Sequence, residues 1–319
     1  AKYGQHALTL LNKLQSISTA SRTMFCVYSF LFSWTQQSRN VLKPLLQVYD
    51  LGLRTGDTES ATYAIFHWLA IKYIVGTPLD SLEADGALYL KQMIDLKREQ
   101  VVKITKCLNQ MVLNLMGEND SEDPLQFFGL GLTEEELETS KTDTFWHASV
   151  LFHHGILLAY FGEHVRHADS FRIAGHGYLA KAHLASPNNM IDTYLKGISC
   201  YAAARETGKK RRYGKLGNIC RSKIKAWLQM GNPNVKHYDT FLDAEAFALK
   251  GKKLAAIKQY EATILQAARS GYQHDAALAS ERLGEYQLSV MNDKEEGAYR
   301  LREAEKYWRS WGAFAKVHH

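Results

Sequence analysis

The sequence predicts an all-α protein, a solenoid of antiparallel helix hairpins stacked into a right-handed superhelix. Three observations predict it. Only 5 of 319 residues are proline, and a proline inside a helix removes a backbone donor and clashes with the preceding turn. Apolar residues recur at intervals of three and four over most of the chain, the spacing of a one-sided helix. Glycine or Asn/Asp clusters then punctuate each run, where helices need residues that tolerate turns.

The elements follow in order. Val41, Leu45, Val48 and Leu51 lie on one helical face, Gly56-Asp57-Thr58 ends the run, and Ala61, Ile65 and Trp68 begin a second face that closes at Thr77-Pro78. Residues 80–117 contain no proline and one early Gly86, and predict a single long helix with Leu88, Met93, Leu96, Val101, Ile104, Leu108, Met111 and Leu115 on its apolar side. Residues 117–131 are the longest irregular connection. Thr133 with Glu136 forms a capping box that restarts the helix. Phe145 to Phe161 is apolar nearly all round and predicts burial on most sides. Gly162, Ser186-Pro187-Asn188-Asn189 and Gly231-Asn232-Pro233-Asn234 mark later breaks, and the last two hairpins turn at Gly251 and Gly271, with Asn292-Asp293-Lys294 before the closing helix. The division expected is 1–131, helical hairpins and the long helix, and 132–319, further hairpins, the two forming one continuous array.

The hairpins carry a repeat. In tetratricopeptide (TPR) units a turn glycine is followed by a small residue, then by a large one, so that two helices approach closely and the large side chain fills the adjoining hole. Gly56, Ala61 and Ile65 fit this spacing, as do Gly251, Ala256 and Tyr260. Gly297, Leu301 and Ala304 fit with a turn longer by one residue.

From Pro233 onward the likeness narrows. Asp243-Ala244-Glu245-Ala246, Gly251, Ala256, Tyr260-Glu261-Ala262, Ala276 to Glu281 and the close Tyr307-Trp308-x-x-Trp311-Gly312-Ala313-x-Ala315-Lys316-Val317 resemble the helical region that follows the AAA-type ATPase module of large signalling proteins. Such proteins commonly begin with a serine/threonine-kinase-like domain and continue into GAF, histidine-kinase or cyclase modules. Tyr49, Gly52, Gly56-Asp57, Ala61 and Tyr63 are similar to that family's first hairpin, and Asn114-Leu115-x-Gly117 to its long-helix exit. The resemblance implies a cytoplasmic regulatory spacer beside an ATPase, a piece of a longer chain, with catalysis in flanking modules.

Composition sets the remaining bounds. Hydrophobic residues make up 46% and charged residues 23%, a normal balance for a folded domain rather than a disordered one. The most apolar run, Met24 to Trp34, is too short for a membrane span, which needs about 20 residues; it reads as a partner groove or as a surface that an upstream neighbour covers. Cys26, Cys107, Cys200 and Cys220 lack any CxxC spacing and read as reduced thiols of a cytosolic protein. The formal charge of +6 concentrates at Lys209, Lys210, Arg211 and Arg212, a candidate patch for an acidic partner or for nucleic acid, read mainly as a solvated face.

Glu206-Thr207-Gly208-Lys209-Lys210 resembles the tail of a phosphate loop, but Ala203 stands where the first glycine is required and Lys210 where a hydroxyl would hold magnesium. His147, His153, His154, His164, His167, His176 and His183 crowd two neighbouring segments without HExxH or a nearby cysteine, which favours packed or surface histidines over a metal site. The sequence therefore predicts no catalytic, cofactor or metal residues, and a non-catalytic scaffold binding protein partners, a neighbouring domain or a peptide in a concave groove. A bracing subunit of a large assembly, or nucleic-acid binding through the basic segment, are the alternatives.

Overall fold

The computed structural model describes residues 2–175 and 177–319, and every regular element among them is helical. The opening residues, whose periodicity is weak, form α1 (Lys2–Leu14), α2 (Ile17–Cys26), a wide π-helical turn (Val27–Phe32) and a short α3 (Ser33–Thr35). The first predicted hairpin is α4 (Leu42–Thr55) and α5 (Thr58–Ile74). Gly56 takes a left-handed φ of 81°, and the Asp57 carboxylate accepts the Ser60 amide at 3.1 Å, capping α5, which satisfies an amide with no helical partner. Ala61 and Ile65 are fully buried. A Cβ on Gly52 would come within 2.8 Å of the Ala61 Cβ, so this pair of small residues fixes how closely the two helices cross.

The long helix expected over residues 80–117 is instead two, α6 (Leu79–Asp95) and α7 (Glu99–Met116), packed against each other. The chain reverses at Lys97, which adopts a φ of 55°. A left-handed non-glycine residue costs about 1–2 kcal/mol, and no glycine or proline announces the break. The burial of Met93 against Thr105 and of Val101, Ile104, Leu108, Met111 and Leu115 outweighs that cost. Periodicity alone continues smoothly through such a turn.

Residues 117–133 carry no helix and are held by two side chains of α7. The Asn114 Nδ2 donates to the carbonyls of Pro124 and Gln126 at 2.8 and 2.9 Å. The Gln110 Oε1 accepts the amides of Gly131 and Leu132 at 2.9 and 3.0 Å. The capping box then forms as the sequence predicts, with Thr133 and Glu136 satisfying each other's amides at the start of α8 (Glu134–Ser140). Next come α9 (Thr144–Tyr160), buried on most sides, α10 (His164–Ala174), α11 (Tyr178–Ala182) and α12 (Asn188–Thr207). A π-helical turn at Lys210–Gly214 leads into α13 (Lys215–Gln229).

The last helices are α14 (Lys236–Leu249), α15 (Lys253–Arg269), α16 (Gln273–Tyr286), α17 (Lys294–Trp311) and α18 (Phe314–His318). Gly251 turns α14 into α15 with φ 70°, and Ala256 and Tyr260 are buried as their spacing requires. One part of the last unit differs. The turn belongs to Asn292, at φ 57°, while Gly297 lies inside the first turn of α17. There it admits the Leu288 side chain and the Gly284 carbonyl, which a Cβ would strike at 2.6 and 3.2 Å. Leu301 packs on Gly284 and Ala304 is buried.

Consecutive helices pack on their neighbours, and the chain then returns on itself. The Trp311 indole donates to the Thr77 carbonyl at 2.9 Å and stacks on His274 at 4.9 Å. Trp308 leans on Tyr160, whose hydroxyl meets that of Tyr73 at 3.0 Å, and α18 packs against α7. Arg39 donates to the carbonyls of Val75, Ser270 and Gly271, while the Asn234 amide group bridges to the carbonyls of Ser33 and Gln36. Within Met24 to Trp34, Val27, Ser29, Phe32 and Ser33 are buried by the described residues, while Cys26 and Leu31 stay exposed. Phe32 is buried against Gly4, and Trp34 packs on Trp227 while donating to the Ala185 carbonyl.

Candidate functional site

A cavity of about 590 Å³ lies between α2, α5, α9 and the segment after α11, within the size range of small-ligand pockets. The π-helical turn builds its roof. In an α-helix, residues five apart point roughly 140° away from each other; the wider turn instead brings Phe25 and Phe30 together, ring centroids 5.2 Å apart. Both rings meet His67 edge-on, at 5.5 and 5.1 Å. Tyr63 comes from one turn earlier on α5, Phe66 lies next to His67 in the chain, and Phe145, stacked on His183 at 4.2 Å, forms the opposite wall. Single helical turns such as this are frequent at functional sites.

The polar groups are few and distinct. Burial pushes the His67 imidazole down to about 3, with His183 adding to the effect, so the ring is neutral at neutral pH. Its Nδ1 has no hydrogen-bond partner. Burial also lowers His183, although its Nε2 donates to the Phe145 carbonyl at 2.9 Å. Arg22 stands at the mouth, largely exposed, 3.7 Å from an equally exposed Glu59. Cys26 is the exposed one of four free cysteines. Burial raises its thiol, with Arg22 pulling it down to a lesser degree.

Other predicted positions serve packing. Tyr260 donates to Glu245 at 2.9 Å, and Glu245 is sealed between Arg205 and Arg282, at 2.6 and 3.1 Å. Burial would raise this carboxyl, but the two guanidinium groups outweigh it and hold it at about 2. The histidines disperse. His153 donates to the Ser149 carbonyl at 2.7 Å, His154 stacks on Phe127, and His164 and His167 both reach Ser199. His147 is half-buried beside Tyr178, and His176 lies outside the described residues. Among the described residues no group of three His, Cys, Asp or Glu is placed to hold a metal ion.

The basic segment is a solvated turn. Lys209, Lys210 and Arg211 are exposed, whereas Arg212 pairs with Asp169 at 3.1 Å and lies over Tyr213. Among the described residues no helix is long and apolar enough to cross a membrane. The cavity itself was legible only in part: the aromatic run pointed to Phe25 and Phe30, but His67, Phe145 and His183 joined them through tertiary packing.

Compared with protein-family models, with curated proteins and with solved structures, the chain matches none. The fold and the cavity therefore carry the functional reading.

Proposed function

We propose that this chain is a non-catalytic protein-interaction and signal-coupling scaffold of the TPR-like solenoid kind, working within a larger regulatory ATPase or kinase. The observation that supports it is the return of the last helices onto the first hairpin. Trp311 hydrogen-bonds to Thr77 and α18 lies on α7, so a displacement of the last helices would be felt directly at the end of α5 and along α7. The buried ionic and histidine groups are engaged in packing, which suits a rigid coupling element. Partners would meet outward faces, since Trp308, Trp311, Tyr160 and Tyr73 fill the space between first and last hairpins. One such face is α1, which leaves Tyr3, Leu10 and Leu14 exposed. Uncovered apolar side chains on one helix are a feature of protein contacts.

The test uses the native polypeptide purified with whatever modules and subunits accompany it. ATP hydrolysis or phosphoryl transfer is measured with Trp311 intact and with Trp311→Phe, which keeps an aromatic ring, though a smaller one, and removes the bond to Thr77. A changed turnover with an unchanged helical signature is expected. Absence of any ATPase or kinase module in that material, or identical turnover, would remove the coupling role.

A further inference from the structure

We infer that the cavity beneath the π-helical turn binds a small aromatic anion, its rings lying among Phe25, Phe30, Tyr63 and Phe145 and its acidic group meeting Arg22 at the mouth. Three independent features carry this. The walls are ring-lined from three separate elements, and offset or edge-on ring contacts favour a flat aromatic guest over an aliphatic one. The interior holds an unpartnered polar group, His67, which is 94% buried by its 6% exposure and borders the void. An imidazole left in this state is costly in a purely structural core; a polar edge on a ligand relieves it. At the entrance, Arg22 makes no hydrogen bond among the described residues; Glu59, which also borders the cavity, pairs with it at 3.7 Å in solvent, and the Arg22 charge reaches the capping carboxylate of Asp57. Its fork of donors is thus available, and a guanidinium matches a carboxylate or sulfonate in two-point fashion.

The Phe145–His183 stack limits what enters. With the His183 Nε2 tied to the Phe145 carbonyl, this wall is fixed, and Ala182 beside it leaves the remaining space. The cavity does not depend on the scaffold role, which stands or falls separately.

Two dyes differing by one sulfonate test the proposal on the full chain: 1-anilinonaphthalene-8-sulfonate and its uncharged parent, N-phenyl-1-naphthylamine. Each should show saturable fluorescence enhancement at one site. Arg22→Ala should weaken the sulfonate about fivefold, the scale of one exposed charge contact, and leave the uncharged dye unchanged. Ala182→Trp, with helicity checked by circular dichroism, should abolish both. Independently of any variant, saturating sulfonate should slow iodoacetamide alkylation of Cys26 at least threefold, Cys26→Ser serving as the blank. Dye binding that survives Ala182→Trp in a folded chain, or Cys26 alkylation unaffected at saturation, overturns the site. Equal loss of both dyes in Arg22→Ala overturns the anionic part of the assignment, and absence of saturable binding by either dye overturns it altogether.

Discussion

Helix α5 contributes to two clusters of aromatic rings and histidines that differ in filling. At its C-terminal end Tyr73 joins Tyr160, His274, Trp308 and Trp311 in a packed junction between the first and last hairpins. Two turns earlier His67 meets Phe25, Phe30 and Phe66, and there the rings surround open space. Residue types are nearly the same. What separates a structural clasp from a candidate ligand site is whether another element arrives to occupy the volume: α17 brings two indoles to the first cluster, whereas α9 with Phe145 and the segment after α11 with His183 wall the second without filling it.

The largest expected effect breaks the packed cluster. Trp311→Ala should lower unfolding free energy by about 3–5 kcal/mol, the range for removing a large buried ring, as measured by urea denaturation. A loss below about 1 kcal/mol would mean that the return contacts do not hold the chain together.

Acid should act on a similar scale and can be divided between regions. Burial holds His67, His153 and His167 at about 3. The unfolded chain takes up protons near 6.5 while the folded chain does not, so stability is full above that pH and falls as pH drops toward 3. At pH 5.5 each of these histidines should have removed about 1.4 kcal/mol, and His154, which burial holds at about 4, and His164, which burial holds well below its ordinary value, add to the slope. Denaturation midpoints from pH 8 to 5 read the slope. His67→Phe should make it shallower by about one fifth at most, since His153, His154, His164 and His167 still contribute.

His67→Phe is also the sharpest single contrast with the clasp. Replacing an unpartnered imidazole by a ring of similar shape should leave stability at pH 7.5 unchanged or raise it by up to about 1 kcal/mol; a loss above about 2 kcal/mol would show that the imidazole has an essential structural partner. The smallest effect belongs outside both clusters. Lys209→Ala, Lys210→Ala and Arg211→Ala together should shift stability by less than about 0.5 kcal/mol. Arg212→Ala should cost about 0.2–1 kcal/mol through Asp169. If nucleic acid did bind this segment, its affinity would fall steeply with added salt and vanish in the triple variant.

Local signals were legible in the sequence because they depend on residues close in the chain. The Gly56-Asp57 turn, the Thr133–Glu136 box, the buried α9 and the Gly251–Ala256–Tyr260 unit all form where spacing and capping chemistry place them. The break at Lys97 was not legible, because its cost is repaid by contacts between α6 and α7 rather than by any turn residue. Nor was the contact that Trp311 makes, since its indole donates to the carbonyl of Thr77, far away in the chain.

By itself, then, the sequence determined an all-helical chain, most helix ends and which faces turn inward, since those follow from backbone conformational preference and apolar spacing. Tertiary structure alone decided that the last helices return onto Thr77 and α7, and that Phe25, Phe30, His67 and Phe145 line one void. Those outcomes depend on distances between residues far apart in the chain, which local periodicity does not encode.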